Sequence, residues 1–252
     1  MHPRLLPRLS IVGTLAWVLA LSTACQPTAS TAPMSTTATP ASASTATAAP
    51  TPSRPAASDG LASAPDRVRP LLLGSTLPEV NLRTLDDTPT TLKAEVGGAP
   101  AILVFYRGGW CPYCNLQLSE LRLIEKPAHA LGYRIIAISP DRPQELAKTV
   151  DRDALDYTLL SDSHADALRA FGIGYRLDDA TYEKYRSMGV DLEAASGDRH
   201  HALPVPSVFI VDRDGLIQFD YSHPDFRARV PGDVVLAAAR AIAARRQYLQ
   251  PK

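Results

Sequence analysis

The chain is 252 residues long and carries 26 Lys+Arg against 26 Asp+Glu, a formal charge of zero. A nucleic-acid binder needs a basic surplus to neutralise phosphates, and three cysteines are too few for a disulfide-dense scaffold. Beyond residue 24 no apolar run approaches the roughly 20 residues of a membrane-spanning helix, which leaves a globular domain on a tether.

Residues 1–24 hold Arg4, Arg8 and no acid, followed by an apolar run over 11–21, the two regions of a secretory signal. Its removal leaves a slight excess of acid. Ser22, Thr23 and Ala24 running into Cys25 resemble the lipobox of bacterial lipoproteins, with Leu21 one place further from the cysteine than in the usual pattern. That resemblance implies a lipidated Cys25 as the first mature residue and membrane attachment by the lipid anchor only, because several acyl chains hold where one does not. Gln26, in place of the aspartate that commonly retains such proteins at the inner membrane, points to the outer membrane of a bacterial cell envelope, facing the periplasm. The alternative is ordinary cleavage nearby, with Cys25 removed or left free. Residues 25–65 are almost entirely Ala, Ser, Thr and Pro. Such a segment buries too little apolar surface to offset its ordering entropy and reads as a disordered, semi-extended tether. The folded domain is expected over 66–252.

In that domain an opening loop and short strand are expected up to Leu82, with turn chemistry at Asp86-Asp87. The continuous apolar run 101–106 predicts a strand buried on both faces, and 133–138 a second. Leu118, Leu121 and Ile124 are spaced for a helix over 115–126, and a further helix is expected over 143–153. A short strand over 157–160 precedes a helix over 164–171 that ends at Gly172. Residues 207–211 and 216–220 flank Asp212-Arg213-Asp214-Gly215, a hairpin signal, and an Ala-rich helix closes the chain over about 233–248. The alternation indicates an α/β fold with helices on both faces of a central mixed sheet. Residues 173–203 fit no strand and are expected to form an inserted loop with a short helix near the domain's edge.

The chemistry is expected in Arg107-Gly108-Gly109-Trp110-Cys111-Pro112-Tyr113-Cys114. A buried strand ends, two glycines let the backbone turn, and a C-x-x-C opens a helix. Unpaired N–H groups and the positive end of the macrodipole there favour thiolate over thiol. Pro112 suits the first helical turn, where its missing N–H costs little. A disulfide closing so short a ring adds little loop-entropy stabilisation, so a redox role outweighs a structural staple. Zinc needs further ligands that the sequence does not offer, so no metal and no cofactor are expected.

Trp110-Cys111-Pro112-Tyr113-Cys114 resembles a thioredoxin-fold active site. The wider text from Phe105 through Asn115-Leu116-Gln117-Leu118, with Ile138-Ser139-Pro140-Asp141, Leu160-Ser161-Asp162 and Pro204-Val205-Pro206-Ser207, is similar to peroxiredoxin-like proteins of the alkyl hydroperoxide reductase/thiol-specific antioxidant group. The resemblance spans roughly 72–249 and implies a thioredoxin-like fold. It also implies a cis Val205–Pro206 bond holding the preceding carbonyl and N–H toward a bound partner, an exposed attacking Cys111, a resolving Cys114, and Trp110 packed against the pair. That family carries a P-x-x-x-T-x-x-C pattern. Laid here without gaps, it puts Arg107 at the proline, Cys111 at the threonine and Cys114 at the attacking cysteine, so the two templates name different sulfurs. Arg107 is either a cation that lowers a thiol pKa or binds peroxide oxygen, or a solvent-facing or salt-bridged side chain.

The resulting expectation is a thiol-dependent oxidoreductase with antioxidant character. It reduces a peroxide through a Cys111/Cys114 dithiol–disulfide cycle and is reset by a dithiol reductant protein. One alternative is thiol–disulfide exchange on exported proteins. Another is a non-catalytic binding module whose disulfide stays closed. His200 and His201 read as ordinary surface, and His129, His164 and His223 receive no role. Asp212 to Gly215 reads as a turn rather than a calcium loop, and Arg240, Arg245 and Arg246 as the solvated face of the last helix. Tyr175, Tyr182 and Tyr185 either line a groove or pack the insertion.

Overall fold

The computed structural model describes residues 59–249, with side chains through 245. The signal, Cys25 and most of the tether lie outside the described residues. In chain order the first elements are β1 (Asn81–Arg83), β2 (Pro89–Thr91), α1 (Leu92–Val96), β3 (Ala101–Phe105), α2 (Pro112–Ala130), β4 (Arg134–Ser139), α3 (Pro143–Asp153), β5 (Thr158–Ser161) and α4 (Asp166–Ala170). There follow β6 (Gly174–Arg176), α5 (Asp179–Ser187), α6 (Leu192–Ser196), β7 (Ala202–Pro204), β8 (Ser207–Val211), β9 (Ile217–Ser222) and α7 (Gly232–Leu249).

Seven strands form one sheet in the order β2-β1-β5-β4-β3-β8-β9. Strands β3, β4 and β5 are parallel to one another, while β8 runs antiparallel to β3 and β9 antiparallel to β8, giving the mixed sheet. Central β3 is buried at every position, which is why its sequence is a continuous apolar run rather than an alternating one. The alternation is spatial. Ile102, Val104 and Tyr106 pack with Leu118, Leu121, Leu146 and Val235 on one face, whereas Leu103 and Phe105 pack with Leu168, Phe171 and Phe209 on the other. Helices α2, α3 and α7 therefore cover the first face. Helix α4 and the segment 173–203 cover the second.

That segment departs from the expected loop. It contains two helices and a two-stranded antiparallel sheet, β6 against β7. Each strand is three residues long, too short for periodicity to register, and they pair across a long separation. Ala62, placed in the tether by the sequence, forms a parallel bridge to Tyr175. Its N–H donates to the Gly174 carbonyl at 2.9 Å and its carbonyl accepts from Arg176 at 2.9 Å, so ordered chain is present from Asp59.

The Val205–Pro206 bond is trans, for the described residues contain no cis peptide. The chain runs extended from β7 into β8 and needs no tight turn, the usual setting for a cis proline. The N–H of Val205 donates to the Ile173 carbonyl at 3.0 Å, and its carbonyl accepts from Ser207 Oγ at 3.0 Å. The N–H is therefore taken within the chain.

Helix α4 is only five residues long and depends on a buried cap. Asp162 accepts from the Ala167 N–H through Oδ1 and from the Leu168 N–H through Oδ2, both at 2.9 Å. The helix delivers Phe171 against Phe105 and Phe209, with ring centroids 4.7 and 5.0 Å away. Phe171→Ala leaves a cavity at a fully buried site and should cost about 3–5 kcal/mol. A urea titration reads this as a lowered midpoint at unchanged slope, and a midpoint within error of the parent would show that the triad is not a core anchor.

Candidate active site

Strand β3 stops at Phe105, and the chain turns through Arg107-Gly108-Gly109-Trp110 to Cys111, the cap of α2. Both glycines are required by close approach. Gly108 has φ +148, and a Cβ on it would lie 2.3 Å from the Trp110 Nε1 atom. A Cβ on Gly109 would lie 2.0 Å from Thr149 Oγ1. The Gly109 peptide is also held on both sides. Its N–H donates to Asp141 Oδ2 at 2.7 Å, and its carbonyl accepts from Asn115 Nδ2 at 3.0 Å and Arg152 Nη1 at 2.9 Å. The turn is thus tied to the end of β4, the first turn of α2 and the last turn of α3.

Asp141 is fully buried, and burial raises its pKa to about 7 against the opposing pull of the Gly109 N–H and the Trp110 indole. Its own backbone N–H donates to Ser139 Oγ at 3.1 Å.

Cys111 is the N-cap residue of α2 and Pro112 its first helical residue, with no acid in the first turn. The helix therefore presents its positive end to the sulfur unopposed. Hydrogen bonding from the Cys114 thiol lowers the Cys111 pKa to about 6 against the effect of burial. The Cys114 backbone N–H, Arg107 and Arg229 add to the lowering. Cys114 lies deeper, and burial first, then its hydrogen bond to Cys111, pushes its thiol up. The two sulfurs thus divide into a ready thiolate and a held proton. Contrary to the expectation of an exposed attacking thiol, Cys111 is only 2% exposed. The charge is accommodated because two cations and a helix terminus surround it.

Arg107 is 1% exposed, so it is not solvent-facing, and it makes no salt bridge to a carboxylate among the described residues. Its Nη2 donates to the Tyr185 hydroxyl, and its guanidinium lies 5.2 Å from the Trp110 ring and 4.4 Å from that of Phe226. Arg229, from the loop before α7, places Nη2 3.3 Å from Cys114 Sγ. Tyr113 is 41% exposed and meets Phe226 edge-on at 5.7 Å. Beside it lies a groove of about 260 Å³ lined by Tyr113, Leu116, Arg227, Arg229 and Pro231.

Cys111, Cys114, Trp110, Pro112, Tyr113 and Arg107 lie together between the end of β3 and the first turn of α2. Pro206 contributes differently, since its carbonyl accepts the His223 N–H at 3.2 Å and so joins β8 to β9. The histidine pair is not ordinary surface. His200 is buried, its Nδ1 accepts from the Ala202 N–H at 2.8 Å and its Nε2 lies 3.0 Å from the Ser163 carbonyl. That pattern fixes a neutral imidazole, which burial favours by lowering its pKa. His201 stacks on Tyr182 at 3.9 Å. Sequence reasoning missed Arg229 and Phe226, in a loop without a motif, and left Tyr185 undecided. The Ser139-Pro140-Asp141 text after an apolar run was the one available pointer to Asp141.

The profile of the AhpC/TSA family matches residues 73–220. Peroxiredoxin Bcp of Escherichia coli strain K12 is 26% identical over 169 residues, covering 67% of this chain and 96% of the relative. A putative peroxiredoxin bcp of Haemophilus influenzae is 29% identical over 106 residues, covering 42% of this chain and 68% of the relative. Among solved structures, peroxidoxin BcpB from Mycobacterium tuberculosis superposes with a TM-score of 0.52 at 23% identity, over 68% of this chain and 97% of that one. Peroxiredoxin Q of Xanthomonas campestris gives 0.51 at 20% identity, over 65% and 91%. These likenesses agree with the sheet order in defining a thioredoxin-like fold. The chain belongs to the AhpC/TSA family and is a thiol-dependent oxidoreductase of the peroxiredoxin-like class.

With the Cys111 pKa near 6, its alkylation rate should be level above about pH 7 and fall tenfold per unit below about pH 5. Site-resolved mass spectrometry after a chloroacetamide pulse reads this directly. A rate still climbing through pH 8 would mark an ordinary thiol.

Proposed function

We propose that the chain reduces peroxides through a Cys111/Cys114 dithiol–disulfide cycle in which Cys111 attacks. The carrying observation is the asymmetry of the pair: a lowered Cys111 at the helix terminus between Arg107 and Arg229, and a raised, buried Cys114 aimed at it.

The Cys111 thiolate gives two electrons to the peroxide. An S–O bond forms, the O–O bond breaks, and the leaving oxygen takes a proton to become water or an alcohol. Arg107 and Arg229 stabilise the negative charge that passes from sulfur to that oxygen. The Cys114 sulfur then attacks the sulfenic acid, closing the disulfide and expelling water. A dithiol reductant protein restores both thiols through a mixed disulfide and leaves as its own disulfide.

Two features favour a peroxide over a protein disulfide. Cys111 is nearly inaccessible, which a molecule of two oxygens tolerates and a folded protein substrate does not. The N–H of Val205 is also committed within the chain, to the Ile173 carbonyl, so it cannot donate to a bound polypeptide.

Cys111→Ser should abolish peroxide consumption, while Cys114→Ser should give one turnover and accumulate a sulfenic acid that dimedone traps at Cys111. Trapping at Cys114 in the Cys111→Ser chain would reverse the assignment. Full activity in both variants would remove the cysteines from catalysis.

A further inference from the structure

The segment 173–203 brings two phenols to the redox site from separate elements, Tyr175 on β6 and Tyr185 on α5. Both bear on Arg107, and with Cys111 they are the groups that act most on its charge, with no carboxylate among them. The direct hydrogen bond runs from Arg107 Nη2 to the Tyr185 hydroxyl. The Tyr185 ring stands edge-on to Trp110 at 5.7 Å, and the guanidinium lies 5.4 Å from that ring.

A buried arginine with no carboxylate partner among the described residues has little to fix the direction of its guanidinium, and aromatic faces attract a cation without orienting its N–H bonds. A hydroxyl on a rigid helix does fix one. Helix α5 is capped by Asp178, which accepts from the Thr181 N–H at 2.8 Å. It is also tied to the β7 end of the segment through Tyr182 stacked on His201, whose Nε2 lies 2.8 Å from Glu193 Oε1. Tyr185 thus reaches the site from a braced support.

We propose that Tyr185 is a positioning residue: its hydroxyl holds the Arg107 guanidinium toward Cys111, so that the segment 173–203 sets the reactivity of the cysteine pair. The proposal rests on the reading of Cys111 as the attacking thiolate. It gives the segment a role in the chemistry without placing any of its residues on substrate.

The test compares the full chain with Tyr185→Phe, Arg107→Met and the double variant, reading Cys111 alkylation against pH by mass spectrometry and peroxide turnover in parallel. Tyr185→Phe keeps the ring and removes only the hydroxyl. It should move the Cys111 half-point upward by about 0.5–1 unit, a roughly 3–10-fold loss of alkylation rate on the acid limb. Arg107→Met should move it the same way, and adding Tyr185→Phe to Arg107→Met should change nothing further. The proposal is overturned if Tyr185→Phe leaves the profile in place while Arg107→Met shifts it. It is equally overturned if Tyr185→Phe shifts the profile as much in the Arg107→Met chain, since the hydroxyl then acts through packing. A parent Cys111 that titrates as an ordinary thiol overturns the underlying reading, and this proposal with it.

Discussion

A negative charge on a sulfur that water scarcely reaches is the constraint around which the site is arranged. Burial alone disfavours a thiolate. The opposing contributions come from three parts of the chain: the first turn of α2, through the Cys114 thiol and the helix N-terminus, Arg107 just after β3, and Arg229 in the loop before α7. In a nearly dry pocket each counts for more, because the effective dielectric is lower. The same dryness makes Cys114 hold its proton, and the two cysteines take different roles although three positions apart.

Such an arrangement works only if the turn bearing Cys111 does not wander. The Gly109 peptide serves as the fixed point, with its N–H and carbonyl each taken by side chains from other elements. Asp141 can do this without water because its carboxyl lies where its neighbours are backbone N–H and indole rather than solvent. The two glycines admit those neighbours. Any side chain at Gly109 would displace Thr149, and with it the α3 contact to the turn. Sheet, turn and helix therefore meet at one peptide, and the fold's contribution to chemistry is the rigidity of that junction.

Much of the central architecture was legible in the sequence. The β3 and β4 runs, the 143–153 helix and the 207–211 strand carry apolar patterns or end signals that depend on neighbours along the chain. So does the C-x-x-C at a helix start, which is a local motif. What was not legible depends on distant pairing. Strands β6 and β7 are three residues each and form only against each other and Ala62. Arg229 lies 115 positions from the sulfur it contacts, and nothing in its own surroundings marks it. His200 looks polar and exposed in a charged stretch, yet two backbone partners satisfy it inside. The cis form expected for Val205–Pro206 came from a resemblance. In this chain the bond is trans.

Trp110 adjoins Cys111, and the chain's other tryptophan, Trp17, is remote in sequence, so indole fluorescence reports the pair. Stopped-flow mixing of the reduced chain with hydrogen peroxide, with disulfide formation checked by mass, tests the central claim most directly. A Trp110 signal with a second-order rate constant of about 10⁴ M⁻¹s⁻¹ or more, lost in Cys111→Ser, is the expected result. A rate no faster than that of a free thiol, in a chain that still exchanges readily with protein disulfides, would contradict it.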